Sequence, residues 1–487
     1  MGTVFEELVR RFNEANNEEA GEHWTPRDAV KLMAKLIFLP IADEIESGTY
    51  LLYDGACGTG GMLTVAEETL KQLAADHGKE VATHLYGQEI NPETYAICKA
   101  DLLLKGEGDE ADNIIGGAEW STLANDAFPS REFDFMLSNP PYGKSWKSDQ
   151  ERMGGKSGLR DPRFIITHAD DAEYSLVTRS SDGQMLFMAN MLSKMKQGVK
   201  LGSRIATVHN GSSLFTGDAG GGESNIRRWI LENDWLEAIV ALPLKMFYNT
   251  GIATYIWVLT NRKPAARKGK VQLIDATSWF KPLRKNLGEK NCELADEDIA
   301  RICDVFLRFE ESEHSKIFNA SEFGYWKVKV ERPLRARGID PDRAYAPKEI
   351  KALREEGRIA EDGAPVIRKI HAGAKAKPDP LNGLFPAKIG GKSVVVEYEP
   401  DGELADFETI PLNEKGGIEA FIKREVLPHA PDAWVDCSKT QIGYEISFTR
   451  YFYRPQPLRA LADIRADILA VEQEAEGLLA QIVGGAP

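Results

Sequence analysis

The sequence predicts an α/β fold on a mostly parallel sheet, followed by an α+β C-terminal region and a C-terminal helix. Three observations predict it. Between residues 50 and 260, short apolar runs alternate with longer helix-period segments, the signature of a mostly parallel sheet with helices on its faces. Beyond about residue 265 that rhythm becomes irregular, with a middle region rich in proline, glycine and lysine. Near the end, Leu461, Ile464, Ile468, Val471, Ala475, Leu478 and Ile482 step alternately by three and four positions, a coiled-coil seam that wants a partner helix or, equally on pattern, its own domain.

Taken in order, TYLLYD (49–54) reads as a strand, 62–77 as a helix, THLYGQEI (83–90) as a strand and 92–106 as a helix. Further strands are expected at 133–138, 203–209, 236–243 and 254–260, with helices at 185–196 and 224–233. Three long polar stretches interrupt this scheme, at 143–183, 210–229 and 356–390; loops of such length are seldom filler. The expected organisation is an N-terminal helical segment (1–48), a core (49–265), an α+β region (266–456) and a C-terminal helix for partner association (457–487).

The chain has 487 residues, 43% of them hydrophobic, enough for about two or three domains. No apolar run approaches the roughly 20 residues of a membrane span, and the first residues lack the apolar stretch of a secretory signal. Five scattered cysteines suggest neither a disulfide framework nor a zinc site. A cytoplasmic protein with reduced thiols is expected. The net charge of −15 argues against a free-standing DNA binder, which would present a basic surface to phosphates. Local basic runs remain, at 262–270, 281–285 and 368–377, and solvated loops are their ordinary explanation.

Three motifs could carry chemistry. In DGACGTGG (54–61) a strand ends at Asp54 and a turn containing Gly55, Gly58, Gly60 and Gly61 leads into a helix. Such a turn lets backbone approach a ligand at a helix N-terminus, or simply connects strand to helix tightly. Its spacing fits neither the dinucleotide fingerprint nor the Walker motif, so a phosphate cradle is not expected. Glu89, in QEIN (88–91), stands at the end of the second strand, where a carboxylate can accept hydrogen bonds from ribose hydroxyls. Third is SNPPYG (138–143), at the end of the fourth strand. It is either a proline-terminated strand or a rigid array of acceptors beside an aromatic ring.

Together with GEHWTPRDAVKLM (21–33), and in that order along the chain, these motifs resemble the S-adenosylmethionine-dependent N6-adenine DNA methyltransferases. The resemblance narrows to the modification (M) subunit of Type I restriction-modification systems and extends through the phrases at 209–243, 247–257, 329–339 and 443–455. It implies a Rossmann-like S-adenosylmethionine-dependent methyltransferase core. Asn139 and the Pro140 carbonyl would accept the two hydrogens of an adenine N6, Pro141 would stiffen the array, and Tyr142 would stack on a base flipped out of double-stranded DNA. For S-adenosylmethionine, the resemblance implies the segment Glu22, His23, Trp24, Thr25, Pro26 and Arg27, then Gly58, Thr59, Gly60 and Gly61, and Glu89 on the ribose. Asp54 would face the methionine amino group, or else cap the next helix.

In NIIGGAEWSTL (113–123), where related enzymes often contact the cofactor adenine, Ala118, Glu119 and Trp120 suggest no partner. No metal is implied. The implied partners are a specificity (S) subunit, which would choose the DNA site and bind the C-terminal helix, a second M subunit and a restriction (R) subunit. M subunits commonly carry a helical region ahead of the Thr-Pro segment, whereas about twenty residues precede it here. A truncated chain or a short member is expected, and activity of this polypeptide alone is in question. Two other readings keep the core: a protein-glutamine or RNA methyltransferase, and a non-catalytic assembly subunit with a vestigial site.

Overall fold

The computed structural model of the protein describes residues 25–104, 108–248, 250–371, 376–453 and 461–484. Its first strands are β1 (Gly48–Asp54), β2 (Val81–Glu89), β3 (Ile114–Gly116) and β4 (Phe135–Ser138). A hairpin of β5 (Ile165–His168) and β6 (Asp171–Ser175) precedes β7 (Arg204–Asn210), β8 (Leu236–Ala241), β9 (Thr254–Thr260) and β10 (Lys270–Asp275). A second hairpin, β11 (Lys281–Leu287) and β12 (Lys290–Glu293), is followed by β13 (Ser315–Asn319). The helices that matter here are α1 (Arg27–Phe38), α2 (Gly61–Asp76), α3 (Pro92–Leu104), α4 (Lys147–Arg152), α5 (Gln184–Ser193), α6 (Gly222–Glu232), α7 (Asp296–Arg308) and α8 (Leu461–Gly484).

Nine strands form one sheet in the order β13-β10-β8-β9-β7-β4-β1-β2-β3. β1 pairs in parallel with both β2 and β4, and β4 with β7, whereas β9 runs antiparallel between β7 and β8. From β1 the chain builds outward through β2 and β3, then returns to add β4 on the other side. The β1/β4 junction is therefore a topological switch point, where a crevice opens beyond the carboxyl ends of the strands. The α/β expectation holds. β4, β8 and β9 are buried along their whole length, which is why they read as continuous apolar runs instead of alternating ones.

One sheet face carries α1, α2 and α7. Eight α1 residues from Ala29 to Phe38 are buried, and the Phe38 ring meets Phe135 of β4 edge-on at 4.9 Å. Asp28 fixes the start of α1 by accepting the Leu294 backbone N–H at 2.8 Å. Tyr53 stacks on Phe133 with centroids 4.6 Å apart, and the Tyr53 hydroxyl accepts a hydrogen bond from Asn190 of α5 at 3.1 Å.

Several charged residues work inside the core. Arg204 of β7 pairs across the intervening β9 with Glu237 of β8, and Arg267 adds a second guanidinium at 3.6 Å from that carboxylate. Lys263, almost wholly covered, donates to Asp234 at 2.6 Å. The basic run at 262–270 is thus partly structural. By contrast Lys281, Arg284 and Lys285 are exposed on β11. Fully buried Arg227 of α6 donates to the carbonyls of Ser213, Thr216 and Tyr444 at 2.6–3.0 Å, tying residues 213–216 to the late strand Trp434–Tyr444; burial pulls its guanidinium down to about 10.

The stretch 356–390 is not simply a loop. Ile367–His371 and Phe385–Ile389 both pair antiparallel with Lys392–Tyr398. Its polar sequence reflects solvent on one side, where Arg368 meets Glu397 at 2.7 Å. The polar stretch 143–183 likewise holds α4 and the β5–β6 hairpin.

The chain forms two compact units, Met1–Ser447 and Phe448–Pro487. In the second, the rings of Phe448 and Phe452 stack at 4.9 Å, and α8 runs for 24 residues. Leu461, Ile464, Ile468 and Val471 of its seam are exposed, while the side chains of Leu478 and Ile482 lie outside the described residues. Among the described residues no helix is long and apolar enough to cross a membrane, and no cluster suits a metal ion.

Candidate active site

The carboxyl ends of β1, β2 and β4 converge on one cavity, and each supplies a polar side chain to it: Asp54, Glu89 and Asn139. Asp54 is 1% exposed. Its Oδ1 accepts the Ala56 N–H at 2.9 Å and the Ser138 hydroxyl at 2.7 Å, so it ties the glycine turn to the end of β4. Helix α2 is capped by Gly60, with no side-chain hydrogen bond; Asp54 is not its cap. Burial pushes the Asp54 carboxyl up to about 7, the neighbouring Glu89 charge adding to the rise against the two hydrogen bonds.

The turn needs its glycines for two reasons. Gly60 has φ +80°, and a Cβ there would lie 2.6 Å from the Cys98 sulfur of α3. Gly58 has φ +53°, and its N–H donates to Glu89 Oε2 at 2.8 Å. Glu89 Oε1 accepts the Asn91 N–H, also at 2.8 Å. One carboxylate thus bridges two turns.

Asn139 follows the last residue of β4. Its Nδ2 donates to Thr25 Oγ1 at 3.0 Å, while its Oδ1 is buried and has no hydrogen-bond partner among the described residues. Leaving a buried amide oxygen unpaired costs about 1–3 kcal/mol. An acceptor held unused at a ligand-binding edge is what a site for an N–H donor requires.

Of the residues expected from sequence, Thr25, Arg27, Asp54, Gly58, Thr59 and Gly61 line this cavity, as do Glu89, Asn139 and Pro141. Pro26, Gly60, Pro140 and Tyr142 do not form its wall. Tyr142 is only 7% exposed, and burial pushes its hydroxyl up to about 12. Stacking a base on this ring requires whatever covers it to shift. Glu22, His23 and Trp24 lie outside the described residues.

Sequence reasoning missed part of the wall. Ile90, Asn91 and Thr94 extend it beyond Glu89, and Phe187 enters from α5. Where Ala118, Glu119 and Trp120 suggested no adenine partner, the next two residues, Ser121 and Thr122, face the cavity. Thr122 donates to the Gly55 carbonyl. Asp149 of α4 also lines the cavity and hydrogen-bonds Ser121; its carboxyl is raised by burial. The signal for Ser121 and Thr122 was their position after β3. Asp149, inside a long polar stretch, had none.

The acceptor set fits a cofactor with ribose hydroxyls and an ammonium group. Glu89 offers the hydroxyl acceptors, and a buried carboxyl raised by desolvation is one that a bound cation would ionise.

The sequence model for N-6 DNA methylase matches residues 1–325. The chain is 29% identical over 369 residues to the Type I restriction enzyme MjaIX methylase subunit of Methanocaldococcus jannaschii, covering 75% of this chain and 57% of that one. It is 30% identical over 335 residues to the MjaVII methylase subunit of the same organism, covering 64% and 52%. The chain therefore spans a little over half the length of these relatives. Among solved structures, the type I restriction-modification methyltransferase subunit from Streptococcus thermophilus superposes with a TM-score of 0.51 at 25% identity, over 66% of this chain and 60% of that one.

Proposed function

The chain belongs to the N-6 DNA methylase family, and on that premise we propose that it is the M subunit of a Type I restriction-modification system, transferring a methyl group from S-adenosylmethionine to N6 of adenine in DNA. Asn139, whose buried Oδ1 has no hydrogen-bond partner among the described residues, lines one cavity together with Glu89 and the glycine turn, and this carries the reading.

Bound in the cavity, S-adenosylmethionine supplies an electrophilic methyl group on a sulfonium. The chain's own residues hold it and prepare the nucleophile. Glu89 accepts from the ribose hydroxyls, Asp54 faces the amino group, and Gly58, Thr59 and Gly61 bring backbone close to the methionine portion. Thr25 and Arg27 close the near side, with Pro26 setting the entry to α1. Ser121 and Asp149 are the polar groups available to the cofactor adenine. Asn139 Oδ1 and the Pro140 carbonyl accept both hydrogens of the target N6. Accepting both draws the nitrogen lone pair out of conjugation and holds the amine for attack. Pro141 fixes the backbone, and Tyr142 offers a stacking ring to the flipped base.

We assign the exposed seam of α8 to a specificity subunit that chooses the DNA site, in a complex with a second M subunit and a restriction subunit. Free Cys57, Cys98, Cys292, Cys303 and Cys437 suit the reducing cytoplasm. The test is to express the chain with a specificity subunit in a host free of N6-methyladenine and sequence its genome for the modified base. Methylation at one motif is expected; labelled methyl found only in protein or RNA would refute the reading.

Asp54 sets a pH dependence. Its folded-state value, about 7, lies well above the ordinary aspartate value of 3.8, so the proton stabilises the cofactor-free fold at low pH and that contribution is lost as pH rises through about 7. A cationic cofactor prefers the ionised form, so affinity for S-adenosylmethionine increases from pH 5 to about 7 and then levels. Asp54→Asn flattens the profile. Calorimetry in buffers of differing ionisation enthalpy checks this, with proton release on binding below pH 7 in the wild type only.

A further inference from the structure

We propose that Thr25 is a positioning residue that decides which way round the Asn139 carboxamide sits. This rests on Asn139 being the acceptor for the target amino group. A carboxamide has an oxygen and an NH2 of nearly the same shape, and a half-turn about its last bond exchanges them. Only one orientation offers an acceptor to an incoming amine. The other points N–H at N–H.

Among the described residues Asn139 Oδ1 has no hydrogen-bond partner to hold it in place. What holds the amide is Nδ2, donating to Thr25 Oγ1 at 3.0 Å from a residue 114 positions away. Thr25 in turn is fixed by the start of α1. Pro26 accepts the Val30 N–H at 3.1 Å, and Asp28 is held by the Leu294 N–H at 2.8 Å and by Lys290 at 3.5 Å. The other partner is equally anchored, since Ser138, the preceding residue, donates to Asp54 at 2.7 Å. The hydrogen bond thus joins two elements that are each anchored elsewhere, the condition for holding a reactive group in a single geometry.

A threonine hydroxyl both donates and accepts. It selects the productive amide only while its own proton points elsewhere, and Thr25 lines the cavity, so that proton can go to an acceptor bound there. Occupancy of the cavity and the orientation of Asn139 are coupled through this hydroxyl. The Thr-Pro segment then does more than cover the cofactor.

The test compares Thr25→Val, of the same shape without the hydroxyl, with Thr25→Ser, which keeps it, each in the full chain with its specificity subunit. Thr25→Val is expected to lower kcat about tenfold, the worth of one lost net hydrogen bond, with the KM for DNA and the Kd for S-adenosylmethionine changed less than about threefold and Thr25→Ser near wild type. A kcat unchanged in Thr25→Val, a loss of cofactor affinity alone, or a Thr25→Ser as impaired as Thr25→Val overturns the proposal. Asparagine-selective 15N labelling supplies a second readout, with the Asn139 signals identified by their loss in Asn139→Ala. One slowly exchanging Nδ2 proton is expected in the wild type and none in Thr25→Val; equal exchange in both overturns the proposal. A wild type that methylates no DNA refutes the functional reading instead, and the labelling experiment still tests the hydrogen bond.

Discussion

Asn139→Ala lowers the rate of methyl transfer by about 10³-fold or more while cofactor affinity stays within a few-fold of wild type. The expectation follows from the position of the side chain. Asn139 stands at the end of β4 with its oxygen buried and unsatisfied among the described residues, so binding an amine there gains a hydrogen bond at a site already desolvated. Removing one preorganised group of this kind typically costs about 10²–10³ in kcat. Here the same deletion also releases the second N6 hydrogen from a matched pair of acceptors, leaving the Pro140 carbonyl to act alone. The cofactor contacts assigned to Glu89, Asp54 and the glycine turn are untouched. Single-turnover transfer of labelled methyl, with affinity measured separately, separates the two effects. An alanine variant as fast as wild type would remove Asn139 from the chemistry and leave a proline-terminated strand.

The parts of the site legible in sequence share one property: their constraint is local. Gly60 needs a positive φ, Asp54 turns the backbone two residues on, and consecutive prolines end β4 wherever they occur. Each leaves a mark within a few positions. Strands buried on both faces were legible as apolar runs for the same reason, but their order was not. A fully buried run carries no face to compare, so nothing local distinguishes antiparallel β9, set between β7 and β8, from a parallel neighbour.

What escaped sequence reading depends on distant partners. Arg227 looks like a surface charge on an amphipathic helix until the Tyr444 carbonyl, 217 positions away, is brought to it. Arg267 and Lys263 belong to a basic run, yet Glu237 and Asp234 draw them inward. Asp149 is one acid among many in a polar stretch, and only the path of α4 brings it to Ser121. The Thr25 to Asn139 hydrogen bond is the same case at the centre of the site. Both residues were singled out, one for the cofactor and one for the substrate, and their connection existed only in three dimensions.

Glu89→Ala weakens S-adenosylmethionine binding by about 10²–10³-fold, the loss of charge-assisted hydrogen bonds to two ribose hydroxyls. The carboxylate also organises the apo site, since it accepts both the Gly58 and Asn91 N–H groups. Glu89→Gln therefore separates charge from shape poorly: its NH2 must face one of those two donors, and it is expected to bind nearly as weakly as alanine. Methylthioadenosine, which has the ribose but no amino acid end, makes the division of labour visible. Glu89→Ala weakens it as much as it weakens S-adenosylmethionine, whereas Asp54→Asn weakens only the latter. Equal loss of both ligands in Asp54→Asn would instead mean that the mutation deforms the turn. The two carboxylates also sense each other. Glu89 helps raise the Asp54 carboxyl, so in Glu89→Gln the pH at which the residual affinity levels off moves below the wild-type value; an unmoved midpoint would separate the two charges and locate the Asp54 shift in burial alone.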